Sequence, residues 1–260
     1  MTAAATATSA TALAAALVAD VSDPADIHGV HGAAGLTWWK CLAGARDLTA
    51  ECEAVEWASI PPGGVSGEHR HTRTEESYFI IRGEGRMVLD GRSVPVSAGS
   101  LVLTGLDTVH GLVNTGPTNL DWLVIEVRSP HTSTALRDGD TVAPPPVQRP
   151  TEDHVNAKVY HLSEGPVAAD EFLTGPLRVI ETVELPDGGV WDLDASDSEH
   201  TVFVVGGSGR ATAGDERVPL RAGVSVTLPR GGATRLHADL GGLRLFHAEL
   251  AVHTAEKEER

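Results

Sequence analysis

The sequence predicts an all-β protein built as two similar units in tandem, on three observations. Glycine occurs 28 times and proline 15 times in 260 residues, and from Ala50 onward they separate short runs rich in Val, Ile, Leu and aromatics. That is the pattern of many short strands joined by tight turns. A proline-rich stretch, Ala143-Pro-Pro-Pro-Val147 followed by Arg149-Pro150, interrupts the pattern. Beyond it the pattern returns with a shift of 124: Pro62, Gly64, Phe79, Gly83, Gly85, Arg86, Val94, Ala98, Gly99 and Val102 match Pro186, Gly188, Phe203, Gly207, Gly209, Arg210, Val218, Ala222, Gly223 and Val226 without a gap. The chain reads as an internal duplication.

Taken in order, residues 1–40 form an N-terminal extension, rich in Ala and Thr and expected to be partly disordered, with Leu13–Val18 its most apolar stretch. No basic residue precedes Lys40 and no apolar run approaches the roughly 18 residues of a spanning helix. A soluble, cytoplasmic protein without membrane contact is expected. Residues 41–130 form the first unit, with strands at Ala54–Ile60, Ser77–Arg82, Arg86–Leu89, Leu101–Thr104, Gly111–Asn114 and Asp121–Val127. Asp90-Gly91 marks a hairpin, since both central residues of a type I′ turn need positive φ. Residues 131–153 form the linker, because consecutive prolines favour an extended spacer. Residues 154–252 form the second unit. Each unit reads as a β-sandwich or barrel.

The formal charge of −16, with a pI near 5.1 and no basic cluster, argues against nucleic acid as a partner. Two cysteines, Cys41 and Cys52, are too few for a disulfide framework and read as buried free thiols.

The chemistry is concentrated in Gly63-x5-His69-x-His71-x4-Glu76-x6-Gly83, followed by Gly99-x10-His110-x3-Asn114. Residues two apart on a strand share a face, so His69 and His71 project together. Imidazoles joined by one carboxylate are a divalent-metal set. In the second unit the same positions hold Leu193, Ala195, His200 and Thr234, so no metal is expected there, and His200 and His237 read as structural.

These motifs resemble those of the cupin superfamily, G-x5-H-x-H-x3/4-E-x6-G and G-x5-P-x-G-x2-H-x3-N. The first is matched at every fixed position; in the second, Gly105 replaces the usual proline and Asp107 the usual glycine. The other copy keeps Gly223, Pro229 and Gly231 but has Thr234 for the histidine. The resemblance, over roughly residues 40–250, implies a bicupin: two tandem double-stranded β-helix (jelly-roll) barrels, with the metal site in the N-terminal barrel only.

The expected ligands are His69, His71, Glu76 and His110, holding one divalent transition metal among Fe, Mn, Ni, Zn and Cu. Glu75, turned outward by alternation, reads as a solvated carboxylate. Tyr78 shares the inward face of Glu76 and is a candidate proton donor or base, with a core tyrosine as the alternative. Arg82 continues that parity and is a candidate for steering an anionic group, with a rim arginine as the alternative. Asn114 is expected to support the fold, and Trp57 and Trp122 to wall the cavity or fill the core.

The expected function is a metal-dependent enzyme acting on a small organic molecule, with dioxygenase-type chemistry favoured. The alternatives are a non-redox isomerase, cyclase or lyase of specialised metabolism and a non-catalytic small-molecule-binding or storage protein. A homodimer is expected.

Overall fold

The computed structural model describes residues 16–139 and 156–252. The first 15 positions of the expected extension and most of the expected linker lie outside the described residues. All six strands read from the sequence are present, each slightly longer: Cys52–Ile60, Thr74–Arg82, Glu84–Leu89, Ser100–Thr104, Val109–Asn114 and Leu120–Arg128. Leu36–Gly44 and Arg92–Ser97, not read as strands, also belong to the first barrel, as does Val65–Arg70, the strand that carries His69. Asp90 and Gly91 take φ of 47° and 78°, as the hairpin turn requires.

In the first barrel a seven-stranded and a four-stranded antiparallel sheet close over one interior. Ile60, Ile80, Leu120 and Trp122 from one sheet meet Met87, Leu89, Val96 and Leu112 from the other. The second barrel is a single eight-stranded sheet, folded on itself through two long strands, Ser198–Ala213 and Ala233–Ala251. The repeat is visible in the elements: Arg92–Ser97 and Ser100–Thr104 recur as Glu216–Arg221 and Val224–Leu228. Its turn glycines recur too. Gly83 and Gly207 have φ of 87° and 83°, and an added Cβ would stand 2.5 Å from Asn119 O or 2.1 Å from Gly242 O. Only glycine satisfies both conditions.

The barrels exchange edge strands. Leu17–Asp20, ahead of the first barrel, pairs with Val224–Leu228 of the second; Ala157–His161, ahead of the second, pairs with Ser100–Thr104 of the first. Each exchange covers a sheet edge that would otherwise expose unpaired backbone groups. Regular structure also runs through the expected extension and into the start of the expected linker. Residues 17–40 contain two whole strands, Leu17–Asp20 and Ala25–His28, and the start of a third. Pro130–Asp138, where the linker was expected to begin, is a helix capped by Ser129, whose side chain accepts from Thr132 N, and closed by Gly139 at φ 73°.

Between the barrels lies a third hydrophobic core, formed by the outer faces of the two large sheets. It includes Trp57, Phe79, Leu123, Ile125, Leu177, Ile180, Phe203 and Phe246, with Phe79 and Phe246 stacked at 4.8 Å. Strand Thr74–Arg82 is consequently buried on both faces, which is why it lacks polar alternation: Tyr78 and Ile80 point into the barrel, Phe79 into the interface.

Two carboxylates clamp this interface reciprocally. Glu75, 4 % exposed, accepts from Thr174 N (2.8 Å), Gly175 N (2.7 Å) and Thr174 Oγ1 (3.0 Å). Its counterpart in the repeat, Glu199, accepts from Thr49 N (2.8 Å), Ala50 N (2.7 Å) and Arg230 N (2.9 Å). The expectation of a solvated Glu75 is thereby corrected. Alternation turned it outward as expected, but what lies outward is the other barrel.

Cys52 is buried as expected, and burial raises its thiol pKa. Cys41 is exposed instead. A register shift between Cys41 and Ala43 turns Leu42 and Ala43 inward and leaves Cys41 outside. Among the described residues, no helix is long and apolar enough to cross a membrane.

Candidate metal centre

Three strands and the turn that follows one of them deliver the expected cluster. His69 lies near the end of Val65–Arg70 and pairs directly with His110 of Val109–Asn114. His71 stands just past that strand, its carbonyl accepting from Asp107 N at 2.8 Å. Asp107 takes φ 69° where the motif usually has glycine, and Arg70 binds its carboxylate at 2.8 Å. The departure in the second motif thus preserves the turn, since Asp tolerates left-handed backbone better than most residues. Glu76 projects inward from Thr74–Arg82, and its carboxylate lies 3.1 Å from His71 Nε2 and 2.9 Å from His110 Nε2.

One donor atom from each of His69, His71, Glu76 and His110 lies within 4.8 Å of all the others. Among the described residues this is the one convergent group of three or more metal-ligating side chains. The protonation pattern fits a cation. His69 Nδ1 donates to Gly67 O at 2.9 Å, which puts the lone pair on Nε2, and that buried atom has no protein partner. His71 Nδ1 bonds Thr74 Oγ1 at 2.8 Å, turning Nε2 toward the cluster.

Burial holds the imidazoles neutral: His69 and His110 are pulled down to about 4 and His71 to about 3. Neutral imidazoles are the form that binds metal. Burial also pushes Glu76 up to about 8, against the hydrogen bonds from Glu126 and Tyr78. A carboxylate this deep needs a cation to ionise freely.

Tyr78 sits where the parity put it, its hydroxyl 3.1 Å from Glu76 Oε2 and 2.9 Å from His110 Nε2. Burial, then the charge of Glu76, keeps its phenol protonated. Arg82 does not join the site. A bulge between the pairs Asp121–Arg82 and Trp122–Ile80 breaks the alternation, and Arg82 ends on the surface, 2.8 Å from Asp121 Oδ2 with 63 % of its side chain exposed. Asn114 supports the fold, donating to Ile60 O and Thr118 O and accepting from Gly116 N. Trp122 walls the cavity, whereas Trp57 belongs to the inter-barrel core.

Beside the cluster opens a cavity of about 340 Å³. Three of its groups were missed in the sequence. Glu56 and Glu126 project into it from the inward positions of their strands; burial raises Glu56, which bonds Trp39, and pushes Glu126 up to about 8. Inward parity alone flags both, since Glu56 shares the face of Ala58 and Ile60, and Glu126 that of Trp122 and Val124, all apolar residues of the barrel interior. His31 comes from the supposed extension, stacking on His69 at 3.4 Å between ring centroids. Its turn, Val30–Gly32, seats against Gly67, where any Cβ would lie 2.2 Å from His31 O. The sequence carries no signal for that long-range contact.

In the second barrel the corresponding mouth holds a hydrogen-bonded chain. Glu181 Oε1 is 2.9 Å from His247 Nδ1, His247 Nε2 is 3.0 Å from His200 Nδ1, and His200 Nε2 is 3.0 Å from Ser198 Oγ. Leu193 and Ala195 are buried there as apolar packing.

Comparison with known proteins agrees with this architecture. The family "Cupin domain" matches residues 56–126. The oxalate-binding protein of Thermotoga maritima is 38% identical over 66 residues, 25% of this chain and 54% of that protein. An uncharacterised protein of Methanocaldococcus jannaschii is 31% identical over 64 residues, 25% of this chain and 51% of that protein. The match spans about half the length of these curated relatives.

Among solved structures, oxalate decarboxylase of Bacillus subtilis, a protein with Mn(II) centres, superposes with a TM-score of 0.63 at 15% identity, covering 92% of this chain and 78% of that one. Protein Ylba of E. coli superposes with a TM-score of 0.67 at 11% identity, covering 95% and 97%. At such identities the likeness is one of fold. The first barrel thus matches a cupin domain family over residues 56–126, and the two-barrel architecture as a whole is similar in fold to these solved structures, in agreement with the cupin motifs.

Proposed function

We propose that the N-terminal barrel holds one divalent transition metal through His69, His71, Glu76 and His110, and that the chain is a metal-dependent enzyme acting on a small organic molecule. The observation that carries this reading is the convergence of four ligand atoms, one of them a buried imidazole nitrogen without a partner, at the wall of a cavity. When bound, the ion supplies a Lewis acid to a substrate oxygen or nitrogen.

The surrounding residues favour proton transfer. Tyr78 presents a protonated phenol within hydrogen-bond reach of two of the ligands, and Glu126 and Glu56 are buried carboxyls on the same wall. A donor phenol and buried carboxyls are what an isomerase, cyclase or lyase needs to move a proton on a held substrate. Apolar walls from Trp39, Trp122 and Val124 limit water at that point. Arg82 has no part in this reading.

The second reading is dioxygenase chemistry, favoured by the donor set itself, since three imidazoles and one carboxylate would suit a redox-active ion such as Fe(II), which would supply oxygen activation. Reconstitution with Mn(II), Fe(II), Co(II) or Ni(II), followed by metabolite screening with and without oxygen, separates the two. Turnover that survives strict anaerobiosis supports the proton-transfer reading; turnover that requires oxygen supports the dioxygenase. Saturable binding without product under every metal would make the chain a binding protein and overturn both.

A further inference from the structure

The cavity beside the ligand cluster has a charge pattern that metal binding alone does not require. Glu56 and Glu126 line it together with Glu76, and none of its lining residues is Lys or Arg; its other basic groups are the imidazoles of His31 and His69. The two additional carboxyls sit on neighbouring paired strands, Glu56 opposite Val124 and Glu126 opposite Ala54. Trp39 and Trp122 face the same space, and Trp39 bonds the Glu56 carboxyl. Buried carboxyls without a basic side chain are costly unless a cation or several donors join them. An anionic substrate entering here finds three carboxyl groups and no Lys or Arg to receive it, whereas a cationic nitrogen would give Glu56 and Glu126 the partner the lining lacks and let them ionise.

We infer that the site takes a small substrate carrying a cationic nitrogen, an ammonium or guanidinium compound, with its charge held between Glu56 and Glu126 beside the indoles of Trp39 and Trp122. This rests on the metal-dependent reading above and assigns the substrate class for it. Carboxylates accept from such a group in a charge-assisted geometry, and indoles attract cations through their ring electrons. The volume, about 340 Å³, is at the small end of ligand pockets. The substrate expected here therefore differs in charge from the oxalate named for the sequence relative and for the structural neighbour.

The test uses the full chain loaded with Mn(II), its metal content fixed by elemental analysis, and calorimetric titration with butylguanidinium, butyrate and oxalate. Butylguanidinium should bind at least about tenfold more tightly than either anion, and Glu56→Gln should weaken it about tenfold with metal content unchanged. Tighter binding of butyrate or oxalate, or no butylguanidinium binding at millimolar concentration to the loaded chain, would overturn the assignment while leaving the metal site standing. A chain that retains no divalent metal under any loading condition would instead overturn the metal-dependent reading, and the substrate class with it.

Discussion

Loading the metal-free chain should release about one proton at pH 6 and about half a proton at pH 8. Burial places Glu76 near 8, so it is about 99% protonated at pH 6 and half protonated at pH 8. His69 and His110 lie near 4 and His71 near 3, so each is only about 1% protonated or less at pH 6. Binding requires all four groups deprotonated, so Glu76 supplies nearly the whole count. Ligands with ordinary values would release more at about pH 6 and less at about pH 8. Three imidazoles near 6.5 would give up over two protons at about pH 6, and the set would release almost none at about pH 8.

Glu126 bonds Glu76 and is itself pushed up to about 8, so the two titrate as a pair. The measurement is therefore made in Glu126→Gln, where the count belongs to Glu76 alone. Mn(II) titrations in two buffers of different ionisation enthalpy at each pH give the number of protons from the difference in heats. Two or more protons at pH 6, or none at pH 8, would refute the burial argument.

The same shifts set the stability of the metal-free chain. Glu76 is held above its unfolded value, so its contribution is present below the unfolded pKa and is lost as pH rises through about 8. The imidazoles are held below theirs, so the chain also loses stability as pH falls from about 6.5 toward 4. Melting temperatures should therefore fall on both sides of about pH 6.5, with the alkaline fall abolished by metal. His110→Ala should weaken metal binding by more than about a hundredfold while unchanged far-ultraviolet circular dichroism reports an intact fold, since the second barrel stands with Thr234 at that position. Glu75→Ala should cost about 3–5 kcal/mol in urea unfolding, because it leaves two backbone donors and a hydroxyl unpaired at the interface. Glu199→Ala should cost a similar amount.

The strands, the Asp90-Gly91 hairpin and the metal-type cluster were legible because each is written in short-range terms: period-two alternation, residues with positive φ, and fixed spacing between ligand types. What alternation could not supply was the identity of the opposite face. It turned Glu75 away from the barrel interior, but whether water or a second sheet waited there depends on how two barrels dock. Arg82 shows the other failure. A single bulge next to Trp122 interrupts the alternation, and no residue in that segment announces it. His31 reaches His69 through a turn in a segment read as an extension, with His31 itself at φ 51°, a conformation residue type does not predict.

The repeat separates scaffold from chemistry along a single strand. In Thr74–Arg82 the outward Glu75 clamps the second barrel and its inward neighbour Glu76 joins the metal-type cluster. In the copy, the outward Glu199 makes the same kind of clamp, and its inward neighbour is His200, bonded to His247 rather than gathered with three other ligands. Because adjacent residues on a strand face opposite ways, the inward position can change its chemistry while the outward one keeps the two barrels together. The second barrel therefore has a task that needs no metal. It anchors the backbone next to Glu76 through Thr174 and Gly175, and its partner strand Ala233–Ala251 carries Phe246 into contact with Phe79 on the same strand as Glu76. If this anchoring fixes the carboxylate, Glu75→Ala should loosen metal binding as well as lower stability, whereas Cys41→Ala, an exposed change elsewhere on the first barrel, should do neither. Equal metal affinity in Glu75→Ala and the parent chain, measured below the unfolding transition, would confine the clamp to holding the barrels together.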